Sequence, residues 1–205
     1  MSIETWLAFT TATIILIVIP GPTILLVVSY ALGQGWRTAL PMAVGVGLGD
    51  FTAMTLSLFG VGALMMASAS VFTLVKWVGA AYLVWLGYKL FRAGGRLDVK
   101  PMTDDKTATR MIGHAWLVTA LNPKGITFFV AFVPQFVNPQ APYLPQAAIF
   151  IATFVILATV NVFAYAFVAA RARALIANPN AIRLLNRAGG TLLMGAGVAV
   201  AAIRS

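Results

Sequence analysis

The sequence predicts an all-α integral membrane protein with six transmembrane helices, arranged as two inverted three-helix repeats whose first helices are broken. Three observations carry this expectation. The 205 residues are 60% hydrophobic and only 9% charged, with a mean hydropathy of +0.92; a soluble domain is roughly 45–50% apolar and about 25% charged. Six apolar runs are each long enough for a hydrocarbon core of about 30 Å. Proline breaks and glycine pairs recur at matching places in the two halves. In water such a chain would expose large apolar patches and aggregate, which excludes a soluble enzyme, a disordered tail or a fibrous repeat.

The spans are expected at about Thr5–Leu32, Ala39–Met66, Val71–Phe91, Gly113–Val137, Tyr143–Ala170 and Arg187–Ile203. The first has no basic residue before its apolar stretch and is far longer than the core of a secretory signal, so it is read as retained. Whether it crosses fully or folds back at Pro20–Pro22 is left open. Basic residues orient the bundle. Arg37 lies between spans 1 and 2; Lys89, Arg92, Arg96, Lys100, Lys106 and Arg110 surround the middle loop; Arg171, Arg173, Arg183 and Arg187 lie between spans 5 and 6. These 11 face only Lys76 and Arg204 on the opposite side, so the positive-inside rule places the three loops in the cytoplasm and both termini outside. The same rule accounts for the formal charge of +9 without nucleic acid. Asp98, Asp104 and Asp105 complete a solvated linker, and Trp6, Trp36, Trp77, Trp85, Trp116 and Tyr143 fall near span ends as aromatic belts do. One transmembrane domain is therefore expected over 1–205, with repeat 1 at about 1–92, a cytoplasmic linker at about 93–112 and repeat 2 at about 113–205.

The repeat is legible as paired features. Pro20-Gly21-Pro22 interrupts span 1 and Asn122-Pro123-Lys124 interrupts span 4. Leu40-Pro41 opens span 2 and Leu144-Pro145 opens span 5; Gly79 and Gly87 in span 3 match the spacing of Gly189 and Gly197 in span 6. Three spans is an odd number, so the second copy must be inverted. Inverted repeats with paired broken helices characterise many secondary transporters, with the ligand near the midplane at the breaks.

The breaks carry the expected chemistry. Proline removes a backbone hydrogen bond and clashes with the preceding turn, and in lipid the freed groups need protein or water partners. The half-helix starting at Pro22 and Thr23 points N–H groups and a positive dipole end inward, suited to a carboxylate. Asp50 and Lys124 are the only charges deep within spans, each costing about 2.5–3.5 kcal/mol at the bilayer centre. Counted from the cytoplasmic ends, Gly21, Asp50 and Lys124 are each 11 residues in, about 17 Å deep at about 1.5 Å per residue; Asn161 lies nine in. The alternative to a site is a structural ion pair between Asp50 and Lys124. Candidate binding residues are thus Pro20, Gly21, Pro22, Thr23, Asp50, Asn122, Pro123, Lys124 and Asn161, with Asp50 as the proton-coupling group. Gly45, Gly47 and Gly49 read as close helix packing, Gln135 as a gate or an interfacial residue, and His114 as interfacial.

The chain has no cysteine and one histidine, so thiolate or histidine metal sites are not expected, nor is any cofactor. It offers no serine–histidine arrangement and no phosphate loop, so it is read as neither an enzyme nor an ATP-driven pump.

The same residues resemble a family. Pro20-Gly21-Pro22, Gly45-x-Gly47-x-Gly49-Asp50 and Gly79-Ala80-Ala81-Tyr82-Leu83 through Gly87 look like the first half of LysE/RhtB amino-acid exporters. Leu121-Asn122-Pro123-Lys124, Pro134-Gln135-Phe136-Val137 and a basic loop before Gly189-Gly190 look like the second. The resemblance implies a bacterial inner-membrane exporter of amino acids or their derivatives, driven by proton antiport and assembled as a homodimer. Asn161 departs from it, where a carboxylate would be expected. Few buried charges argue against a dibasic substrate, so a small neutral amino acid, homoserine- or threonine-like, is favoured. The alternatives are a cation or heavy-metal exporter on a related scaffold, which should show Cys, His or several carboxylates in its spans, and a membrane subunit of a larger complex.

Overall fold

Ser2 opens the first helix: its hydroxyl accepts the Thr5 N–H at 3.2 Å, and α1 runs Ile3–Val18. In this computed structural model, residues 1–67, 69–92, 99–102, 107–138, 140–171 and 179–202 are described. The loop residues Arg96, Asp98, Asp104, Asp105, Lys106, Arg173 and Arg204 lie outside them. The described residues form helices, with no strand among them.

After α1 the chain bends by 53° into α2 (Pro22–Gln34), whose proline stands at the first helical position, where no N–H is needed. Gly35, at φ +81°, turns the chain into a short 3-10 turn and then α3 (Ala39–Ala67). α4 spans Ala69–Arg92. Thr107 caps α5 (Ala108–Ala120), which meets α6 (Pro123–Thr127) at the second break. α6 runs on through a π turn (Phe128–Phe132) and a 3-10 turn (Val133–Phe136), and the half-helices on either side of this break are bent by 42°. α7 (Tyr143–Arg171) and α8 (Pro179–Ala202) complete the chain. The order is thus a bent pair, a helix of 29 residues and one of 24, and then a bent pair, 29 and 24 again.

The segment Trp36–Gly60 and helix α7 are each long and apolar enough to cross a membrane, and each bent pair passes when taken as one span. α4 and α8 reach about 36 Å at about 1.5 Å per residue. The protein is an all-α integral membrane protein, and α7 shows how its surface is organised. Ala147, Phe150, Phe154, Ala158, Val162, Ala166 and Ala169 recur at three- and four-residue steps and are buried, while Ile156, Val160, Phe163 and Phe167 are exposed on the other face. Both faces are apolar, as a helix between protein and lipid requires.

Small residues set the closest helix contacts. A Cβ on Gly45 would lie 2.5 Å from the Ile112 carbonyl, and one on Gly49 would lie 2.6 Å from the Thr119 Cβ, so α3 and α5 pack backbone to backbone. Gly87 and Gly190 bring α4 and α8 together in the same way. Gly45 and Gly49 therefore serve packing.

Two apolar clusters fill the interior. One gathers Phe9, Leu16, Met54, Phe129, Phe150 and Phe154; the other gathers Val27, Tyr30, Met42, Val46, Ala115 and Val162. Along α3 the first begins at Ala53 and the second ends at Val46; along α7 they meet between Ala158 and Val162. Asp50 and Asn161 occupy those gaps. A polar layer is thus held between two apolar ones.

Candidate functional site

The first break leaves the last carbonyls of α1 short of helical partners: only the Ile19 N–H reaches back, to Leu16 O at 3.3 Å, and side chains from the second half of the chain meet all four. The Lys124 ammonium donates to Leu16 O at 3.0 Å and Ile19 O at 2.7 Å. Asn161 Nδ2 donates to Ile17 O at 3.0 Å, and the Tyr165 hydroxyl donates to Val18 O. Four successive carbonyls are thereby satisfied by three side chains, two of them one turn apart on α7. A lysine also suits the negative end of the α1 dipole.

On the other side of the break, Gly21 supplies no side chain to cap α2. Thr23 and Ile24, in the first turn of α2, line a cavity with Asp50, Asn122, Lys124 and Asn161. Asn122 caps α6, its Oδ1 accepting the Lys124 N–H at 3.1 Å while its Nδ2 donates to Thr23 Oγ1 at 3.0 Å. Thr23 and Thr119 share a further hydrogen bond of 3.3 Å. This chain of contacts ties the start of α2 to the second break.

Asp50 is 8% exposed. Its carboxylate lines the cavity with Lys124, yet no hydrogen bond or ion pair joins the two; the lysine is held by carbonyls instead. The direct pair considered from sequence is therefore replaced by a helix cap plus a carboxylate that attracts the lysine across the cavity without a hydrogen bond to it. The reason is local: Gly21 carries no Cβ, so the Lys124 tip reaches the end of α1, passing 3.3 Å from where that Cβ would stand. The cavity measures about 40 Å³, room for roughly one to three water molecules. An amino acid would enter only when its walls part.

The nine residues singled out from sequence do gather at the two breaks. Thr23, Asp50, Asn122, Lys124 and Asn161 line the small cavity, while Pro20, Gly21, Pro22 and Pro123 border a second cavity on the other side of Lys124. Tyr165 and Thr119 were missed; the spacing of Asn161 and Tyr165, one helical turn, was the available signal for the former. Gln135 donates to Ala131 O at 3.3 Å within its own turn. His114 is held by Tyr30 at 3.1 Å, against one of the most buried side chains in the bundle.

The LysE type translocator family model matches residues 14–203. The homoserine/homoserine lactone efflux protein of Salmonella typhimurium is 33% identical over 204 residues, covering 100% of this chain and 99% of that protein. A membrane protein of Vibrio cholerae is 33% identical over 205 residues, with both chains covered in full. The leucine efflux protein of Klebsiella pneumoniae is 30% identical over 147 residues, 71% of this chain and 69% of that one. No solved structure matches the chain. With its apolar helices, its two bent helix pairs and a match across nearly its whole length, the chain belongs to the LysE type translocator family and is a membrane translocator, not an enzyme.

Proposed function

We propose that this translocator exports small neutral amino acids or close derivatives, homoserine- and threonine-like ones first, across the bacterial inner membrane in exchange for protons. The observation that carries the reading is Asp50: a buried carboxylate without a hydrogen-bond partner, aimed into a cavity beside the uncapped start of α2. A zwitterion presents an ammonium for Asp50 and a carboxylate for Lys124 and the first turn of α2. Protonation of Asp50 from outside weakens its hold on the ammonium and couples release to proton entry. Relatives named for homoserine, homoserine lactone and leucine efflux favour this over a metal-ion exporter or a subunit of a larger complex.

The same proposal includes one domain of two inverted three-helix halves, with α4 and α8 as the third and sixth spans, both termini outside, and a homodimer. Moving one proton in for one zwitterion out draws about 2.3 kcal/mol per 100 mV, roughly a fiftyfold gradient at about 1.4 kcal/mol per decade. Proteoliposomes loaded with an amino-acid panel test it. Efflux of homoserine, threonine or leucine should rise under an imposed proton gradient and fall with an uncoupler. Uphill efflux that survives full collapse of the gradient excludes the coupling.

A further inference from the structure

A larger cavity lies against the same two breaks. It measures about 410 Å³, within the range of about 300–1,000 Å³ usual for small-molecule sites. Tyr82, Trp85 and Lys89 of α4 form one wall, and Pro20–Pro22 with Asn122–Lys124 form the other. Asn122 and Lys124 also line the 40 Å³ cavity that holds Asp50. The two spaces therefore share a wall, and part of that wall is the lysine side chain tied to Leu16 O and Ile19 O. Opening this part takes one side chain releasing two hydrogen bonds, and the 40 Å³ space beyond widens as its other walls part.

Charge says what the larger cavity receives. Its lining holds two ammonium groups, Lys89 and Lys124, and no acidic residue. Lys89 stands 5.2 Å from the centre of the Trp85 ring, an aromatic contact that leaves its positive charge unneutralised. The remaining lining is largely apolar, with Leu25, Leu86, Leu90 and Leu193. A carboxylate on a small uncharged side chain complements this combination. Lys89 lies in the last turn of α4 with Arg92, on the side rich in basic residues.

Resting on the reading above, we propose that this cavity is the loading vestibule, entered from the cytoplasm. In it, Lys89 and Lys124 capture the amino-acid carboxylate before Lys124 lets go of the α1 carbonyls and admits the zwitterion to Asp50. Lys124 is then both the inner anion site and the bar between the two spaces.

The chain has no cysteine, so one introduced thiol is a unique reporter. Leu86→Cys places it on the vestibule wall, and Leu25→Cys does so from α2 should the first variant fold poorly. Each is reconstituted in inside-out and right-side-out vesicles and treated with the impermeant anion sulfonatoethyl methanethiosulfonate. The expected result is labelling from the cytoplasmic face, slowed at least fivefold by the amino acid exported in those same vesicles. Adding Lys89→Gln should slow this anionic reagent several-fold and leave the cationic trimethylammonium analogue unslowed. Labelling only from the outer face, no protection by an exported amino acid, or indifference to Lys89→Gln overturns the vestibule while export stands. Protection that follows the phosphatidylglycerol content of the vesicles, with none from the amino acid, assigns the cavity to lipid. Absence of any amino-acid efflux removes the exporter reading and the vestibule with it.

Discussion

At Pro20–Pro22 the chain bends by 53° and at Asn122–Pro123 by 42°, yet the two breaks are stabilised by different means. The second is self-sufficient. Leu121 and Asn122 N–H groups close the end of α5 on Leu117 and Thr119 carbonyls, and the Asn122 side chain caps the start of α6. The first supplies one longer backbone contact of its own, Ile19 N–H to Leu16 O at 3.3 Å; Gly21 cannot cap α2, and the rest of the end of α1 is met by Lys124, Asn161 and Tyr165 from the other half of the chain. A break that caps itself is a scaffold. One whose polar ends are met by distant side chains can exchange partners when those side chains move, and this is why the ligand is proposed to sit at the first break, with the second presenting residues to it.

The largest expected effect comes from removing the shared cap. Lys124→Met leaves the Leu16 and Ile19 carbonyls with one fewer donor each, and a buried unsatisfied group costs about 1–3 kcal/mol. Leu16 O keeps the Ile19 N–H and relief from burying an ammonium offsets much of the rest, leaving a net loss of up to about 3 kcal/mol in detergent unfolding, with transport lost as well. Adding Asp50→Asn should leave most of the loss in place, because the lysine's hydrogen bonds go to the α1 carbonyls and only a longer-range attraction links it to Asp50. Restoration by the double change would return the two residues to a structural ion pair and break the comparison.

Asn161→Leu and Tyr165→Phe each take one donor from the end of α1 and should each cost about 1–3 kcal/mol by the same measurement. At the second break, Asn122→Ala loses a helix cap worth about 1 kcal/mol, and Asn122→Ser, which keeps a capping oxygen, should recover most of it. Gly21→Ala is the mildest: its Cβ meets only the mobile tip of Lys124 at 3.3 Å, so under about 1 kcal/mol is expected, with slower transport as the lysine is displaced. A larger loss for Gly21→Ala than for Asn161→Leu would show that the first break is rigid.

Much of this arrangement was legible in one dimension. Hydropathy marks α3 and α7, and prolines mark both breaks, because each is a local property of the chain. Depth along a helix is a count of residues at a fixed rise, which is why Asp50, Lys124 and Asn161 were grouped before any packing was known. What a count does not give is rotation. Whether Lys124 points toward Asp50 or toward the end of α1 depends on the helix bend at Pro123 and on the packing of Lys124 over Gly21, both tertiary facts. Tyr165 escaped for a related reason: a tyrosine on an apolar span resembles any other aromatic there until its hydroxyl is seen against Val18. His114 beside Tyr30 and the vestibule against α4 required the helices to be assembled first.

Asp50→Asn is the most direct test of the account. The carboxylate makes no hydrogen bond that the amide would lose, so the variant should fold with stability within about 1 kcal/mol of the parent. In proteoliposomes it should still exchange homoserine against homoserine across the membrane. Accumulation driven by an imposed proton gradient should be lost, since the amide does not titrate. Gradient-driven accumulation at the parental rate and extent would contradict the claim that Asp50, at the open break, is where substrate and proton meet.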